Sequence, residues 1–255
     1  MPFQKIELDR VAVSVIIQIE QLILRGIIRP GERLPSERDL AERMGVSRPS
    51  LREAISALQD KGLLTTKANA GVFVAELLGA PFSAPLTDLF STHDEAVFDY
   101  ISFRSDLEGM AAERAANLGS GTDLKVIKAI FDKMQTAHEL KDPDQEASLD
   151  AEFHMAIIEA SHNVFLLHMV RSMFEMLKKG VFYNRQIMFS RHTTRGALLE
   201  QHRAICNAIQ NRNPKAARKA AEDHMDFIKT CMEEVKKAEA NEEIAKLRLD
   251  HTVAS

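Results

Sequence analysis

The sequence predicts a mainly α protein in two parts: a small helical module closed by a β-hairpin, then an all-α bundle of six helices. Three observations predict it. Two capped amphipathic helices lie back to back between Ser36 and Leu64. Two β-rich runs follow, separated by the small-residue stretch Ala68 to Gly71. From Asp94 onward the apolar residues recur at helical spacing, with no convincing strand.

The first helix is Val11 to Arg25, apolar at 12, 15, 16, 19, 22 and 23. Ser36 is an N-cap for the second, with Asp39 in capping-box position. Leu40, Ala41 and Met44 form its apolar face, and Gly45 stands where a helix end needs a left-handed residue. Ser47 caps the third helix, and Pro49 lies in its first turn, where a missing N–H does no harm. Leu51, Ala54, Ile55 and Leu58 continue it at core spacing. Two such helices around a short turn make a helix-turn-helix, whose second helix enters the DNA major groove N-terminus first. Arg48 and Arg52 share a face at that N-terminus, and arginine reads guanine bidentately. LLTTK, ANAG and VFVAEL then read as a hairpin, which completes a winged helix over residues 1–77.

Residues 78–93 form a linker, whose LGAPFSAP interrupts helices. The bundle occupies 94–240, with helices at about 94–118, 122–140, 144–161, 164–189, 192–211 and 214–240. Gly119, Gly121, Pro143, Asn163 and Pro214 punctuate them. A charged tail, 241–255, is expected to fray.

Hydrophobic content of 45% with 27% charge is ordinary globular chemistry, so neither a disordered nor a membrane-embedded chain is expected. No apolar run approaches the roughly eighteen residues needed to span a bilayer, and MPFQKIELDR lacks a signal-peptide core. Both features predict a cytoplasmic protein, with Cys206 and Cys231 as buried thiols. The net charge of −4 divides unevenly: residues 1–75 hold eleven Lys/Arg against nine Asp/Glu, and the rest is acidic. So weakly basic a module relies on dimerisation and base contacts as well as on phosphates.

Asp150 and His154 lie four apart, so they project from one helix face. His202 and His224 lie on two later helices, each followed by apolar residues at core spacing. One carboxylate and three imidazoles suit a divalent metal such as zinc, nickel or manganese. Spacing alone leaves open a hydrogen-bonded core cluster. His93, His138, His162, His168, His192 and His251 read as structural or surface residues, although His168 lies on an apolar face and could border a cavity.

ILRGIIRPGERLPSERDLAERMGVSRPSLREAISALQDKGLL resembles the DNA-binding domain of the GntR family of bacterial regulators. The resemblance implies that Arg38, Arg48 and Arg52 contact DNA, with Ser47 on the phosphates. The wing departs from the family's Arg-x-Gly-x-Gly: Lys67-Ala68-Asn69-Ala70-Gly71 keeps only the last glycine, and Asn69 tolerates positive φ as a stand-in. Residues 94–235 resemble the FCD ligand-binding domain of the family's FadR-type branch. Its metal-binding members use Asp-x-x-x-His plus one histidine on each of two later helices, and Asp150, His154, His202 and His224 match all four. That set argues against acyl-CoA as ligand. Arg104, in FRSDLEGMAAERAA, matches an arginine that faces the cavity in many members, although an i,i+4 pair with Glu108 is the alternative.

These resemblances imply a homodimeric regulator of a palindromic operator in double-stranded DNA, controlled by a small carboxylate effector. A 2-hydroxy or 2-oxo acid offers a metal two donors in a five-membered chelate, and an arginine pairs with its carboxylate. STHDEAVFDYISFRSDLEGMAAERAA and LDAEFHMAIIEASHNVFLLHMVRSMFEML resemble regulators of pyruvate dehydrogenase, glycolate and lactate genes. Pyruvate is the first expectation, glycolate or lactate the second, and control of sugar-acid or amino-acid genes the broader alternative. A metal-dependent hydrolase is the rival from another class, but no HExxH or paired-carboxylate signature supplies its general base.

Overall fold

The computed structural model describes residues 10–67, 70–76, 89–90, 93–178 and 192–253. The chain divides into two compact units, Met1–Pro81 and Phe82–Ser255. Most of the expected linker 78–93, the second half of the expected helix 164–189 and wing residues Ala68 and Asn69 lie outside the described residues.

In the first unit, α1 (Arg10–Leu24) buries Ala12, Val15, Ile16, Ile19 and Ile23. This stripe packs in one core with Leu51, Ala54, Ile55 and Leu58 of α3 (Arg48–Asp60). Between them runs α2 (Glu37–Met44), where the Asp39 N–H donates to Ser36 Oγ at 3.2 Å. The Asp39 carboxylate stands 3.6 Å from Arg38. Gly45 ends α2 with φ 65°, which glycine adopts without a Cβ clash. The Ser50 N–H donates to Ser47 Oγ at 3.2 Å, and Pro49 lies in the first turn of α3. The hairpin is β1 (Leu64–Lys67) antiparallel to β2 (Gly71–Val74), in register from Leu64↔Val74 to Lys67↔Gly71. A bridge from Arg33 to Phe73 extends it. This is the winged helix-turn-helix that the sequence predicts.

The second unit contains α4 (Asp94–Leu118), α5 (Gly121–Leu140), α6 (Pro143–Ala160), α7 (Val164–Lys178), α8 (His192–Gln210) and α9 (Pro214–Val253). An alanine face on α4, Ala111, Ala112, Ala115 and Ala116, lets its backbone come close to its neighbours. The face shares a core with Ala217, Ala221, Met225 and Ile228 of α9. Phe131 and Phe153 meet at 6.2 Å where α5 packs on α6.

Polar caps begin most of these helices. Ser120 and Asp123 form a full capping box on α5, and Asp142 caps α6 ahead of Pro143. Asn163 and Asn213 side chains accept from Leu166 and Ala216 at 3.1 Å each.

One boundary differs clearly from expectation. The helix expected to stop at Ala240, ahead of a frayed tail, continues to Val253. The stretch AEANEEIAKLRL has no glycine or proline and is rich in strong helix formers, so nothing in it ends a helix. Cys206 and Cys231 are buried thiols, and burial pushes the Cys206 thiol up to about 11. Among the described residues, no helix is long and apolar enough to cross a membrane.

Candidate metal centre and nucleic-acid face

Glu146, Asp150 and His154 step along α6 four residues at a time, so they share one face. All three are buried. α8 brings His202 to this face and α9 brings His224, both fully buried. One donor atom from each of Asp150, His154, His202 and His224 lies within 4.8 Å of all the others. His202 Nε2 is 3.1 Å from Asp150 Oδ1 and 3.3 Å from His154 Nε2. Donors about 2.1 Å from a common cation stand roughly 3–3.4 Å apart, so the two His202 spacings fit one divalent ion, and the widest pair would have to draw in slightly to close around it. The ring of His224 lies 4.5 Å from that of His202 and 5.1 Å from that of His154.

Neighbouring groups set the tautomers. His154 Nδ1 lies 2.7 Å from Glu108 Oε2, which leaves Nε2 facing the cluster. His224 Nδ1 lies 3.0 Å from Gln201 Oε1. As the amide oxygen can only accept, Nδ1 carries the proton and Nε2 keeps its lone pair. That buried Nε2 has no hydrogen-bond partner among the described residues, which suits a ligand atom.

Electrostatics divide the three imidazoles. Burial alone would lower His154, but the Glu108 carboxylate, and then Asp150, hold it up at about 9. Burial depresses His202. Burial, and then the charges of His202 and His154, depress His224 well below the usual range. For Glu108, burial would raise the pKa, but Arg104 and His154 hold it far below ordinary carboxylates.

Arg104 is buried, and its Nε and Nη2 donate to Glu108 Oε1 at 2.7 and 2.6 Å. The i,i+4 pair therefore exists, and through Glu108 it joins Arg104 to His154. Spacing flagged Glu108 only as a partner of Arg104. Its role beside His154 depends on the packing of α4 against α6, which no local pattern encodes. Gln201 had no signal beyond adjacency to His202. His138, expected to be structural or a surface residue, lines a small cavity with Glu146, Arg195 and His202. His162 pairs with Asp123 at 2.9 Å, and His168 is half-buried on α7.

In the first unit, a groove is lined by Arg33, Arg38, Arg48, Arg52, Gln59 and Thr66 among others. Arg38 and Arg52 are largely exposed. Arg52 Nε donates to Glu37 at 2.6 Å, which ties it from α3 to the first residue of α2. The Ser47 hydroxyl is engaged by its capping bond and by Ser50 Oγ at 2.9 Å. Arg33 was missed because it lies in the loop before α2, and only the bridge to Phe73 brings it into the groove. Gly71 has φ 103°, a conformation that L side chains rarely adopt, and a Cβ there would crowd Arg33 Nε at 3.1 Å, so the backbone favours the one retained wing glycine.

Comparison with known proteins bears on both halves. Residues 12–74 match the model of bacterial regulatory proteins of the gntR family, and residues 99–227 match the FCD domain. The Glc operon transcriptional activator of Escherichia coli K12 is 35% identical, covering 85% of this chain and 87% of that protein. A protein described as an L-lactate dehydrogenase operon regulator, also from E. coli K12, is 33% identical over 88% of this chain and 86% of its own. Among solved structures, Streptococcus agalactiae GntR superposes with a TM-score of 0.51 at 24% identity, covering 85% of this chain and 98% of that one.

Proposed function

Because the chain belongs to the GntR family of bacterial regulatory proteins, is a DNA-binding transcriptional regulator and carries an FCD domain, we propose that a small carboxylate bound beside a divalent metal in that domain controls its hold on DNA. Pyruvate is the first candidate, with glycolate and lactate next. The relatives are regulators rather than enzymes, which removes the hydrolase reading.

One observation carries the proposal: four buried donors converge within 4.8 Å, and two of the imidazoles are held from behind by Glu108 and Gln201. A core without a ligand has little use for three imidazoles whose ring nitrogens crowd together, since burying polar groups costs free energy unless each is satisfied. Asp150, His154, His202 and His224 would hold the ion. A divalent cation with an open position supplies a site for oxygen donors. Glu108 and Gln201 orient the imidazoles, and Arg104 supplies positive charge near the effector's carboxylate. Relatives named for a Glc operon and an L-lactate dehydrogenase operon support a small hydroxy acid or its oxo counterpart.

In the first unit, Arg48 and Arg52 read bases, Arg38 contacts the backbone and Ser47 caps the recognition helix beside the phosphates. Two copies form a homodimer on a palindromic operator. The division into residues 1–77 for DNA, 78–93 for connection and 94–240 for metal and effector belongs to the same proposal. Calorimetry of metal-loaded and chelator-stripped protein with the three acids tests it. Binding that needs metal supports the proposal, and equal binding by stripped protein contradicts it.

A further inference from the structure

Two of the three imidazoles at the cluster are held from behind, His154 by Glu108 and His224 by Gln201. His202 is held differently. Its Nε2 faces the cluster, 3.1 Å from Asp150 Oδ1, so as a metal ligand it carries its proton on Nδ1. That Nδ1 is buried, with no hydrogen-bond partner among the described residues. Leaving a buried donor unsatisfied is costly, and a ligating histidine normally gives its second N–H to an acceptor.

His202 borders a cavity of about 10 Å³, roughly room for one water, among Met134, His138, Glu146, Arg195 and Leu199. Its walls are polar on more than one side. His138 Nδ1 is also buried, with no hydrogen-bond partner among the described residues. It stands 3.6 Å from Glu146 Oε1, too far for a direct hydrogen bond. Glu146 is buried one turn before Asp150 on α6, and Arg195 Nε donates to both its oxygens at 3.1 Å. Each carboxylate oxygen has two lone pairs, so the arginine leaves capacity for a further donor. A cavity of the same size lies beside His154, lined mainly by alanine and isoleucine side chains. There Glu108 and His154 already meet at 2.7 Å, so equal volume carries no demand for a polar occupant.

We propose that the cavity beside His202 is the site of one structural water, and that Glu146, held in place by Arg195, is a positioning residue for His202 acting through that water. The water accepts from His202 Nδ1–H and donates to the Glu146 carboxylate and to His138 Nδ1. Three such bonds are usual for a buried water. The link is the water-mediated counterpart of the direct contacts that Glu108 and Gln201 make, and it fixes the third imidazole toward the ion. It also gives the buried Arg195–Glu146 pair a use, since such a pair is by itself weak evidence for stability. The inference rests on the metal reading above and deepens it.

The test is zinc affinity, measured by competition with a chromophoric chelator, in the native chain and two double variants. Glu146→Leu/Arg195→Met puts apolar side chains in place of the pair and removes the acceptor. It should bind zinc about 10- to 100-fold more weakly than the native protein. Glu146→Gln/Arg195→Gln discards both charges but keeps an acceptor for the water, and should recover most of that loss. A role in packing alone would shift the melting of chelator-stripped protein in both variants and leave zinc affinity unmoved. Native-like zinc affinity in the apolar variant, or equal losses in the two, would overturn the role of Glu146 while leaving the four ligands in place. A crystal structure of native zinc-loaded protein gives a reading that needs neither variant to fold. One water within hydrogen-bond distance of His202 Nδ1 and Glu146 is expected, and a dry cavity would overturn the proposal. Native protein that binds neither zinc, nickel nor manganese would overturn the metal reading as well.

Discussion

At the scale of single residues, a bound divalent ion would account for an otherwise costly arrangement, since three buried imidazoles and a carboxylate share one small volume. In metal-free protein His154 keeps its proton up to about pH 9, while His202 and His224 are already neutral near pH 7. A metal must displace that proton. Affinity should therefore rise with pH by about tenfold per unit until His154 deprotonates, with about one proton released per ion at pH 7.5. Calorimetry in buffers of different ionisation enthalpy counts it, and release of no proton would contradict the assignment of His154. His202→Ala or His224→Ala should lose the ion and, with it, the fall in melting temperature that a chelator causes in native protein. Gln201→Leu should keep the fold but weaken metal binding about 10- to 100-fold, because it removes the acceptor that fixes the His224 tautomer. The four candidate ligands were legible because Asp150 and His154 share a helix face and the two later histidines precede core-spaced residues. Glu108 and Arg195 were not, because their partners lie 46 and 49 residues away in sequence and meet them only through helix packing.

Among the elements, the capped helix pair carried the most information. Ser36, Gly45, Ser47 and Pro49 each do locally what their residue type predicts, and such signals need no tertiary context. The end of α9 was read wrongly for the converse reason. A charged composition suggested fraying, whereas helix propensity and the Glu242–Lys246 pair at 3.9 Å favour continuation. The added turns are exposed, so truncation after Ala240 should leave melting and metal content unchanged. Gly71→Ala should destabilise the first unit by about 1–3 kcal/mol, since it forces a Cβ onto φ 103° beside Arg33. On the recognition helix, Arg48→Ala and Arg52→Ala should each cost about 1–3 kcal/mol on the specific operator. Arg38→Ala and Arg33→Ala should weaken specific and scrambled DNA alike and flatten the salt dependence. Mobility shifts at two salt concentrations separate the two classes, and unchanged specific binding by the Arg48 and Arg52 variants would remove them from the interface.

For the whole molecule, the two halves divide the chemistry. The basic excess lies in residues 1–75 and the acidic excess in the remainder. The arginine-lined groove and the four-donor cluster lie in separate compact units. An acid can influence DNA only if it has different affinities for two states of the protein. Linkage then requires operator DNA to change acid affinity by the same factor by which acid changes operator affinity. The most direct measurement is an operator titration with and without saturating acid, carried out on metal-loaded and chelator-stripped protein in parallel. The account predicts that pyruvate, glycolate or lactate shifts operator affinity severalfold in loaded protein and leaves stripped protein unmoved. An equal shift in both, or none in either, would contradict it.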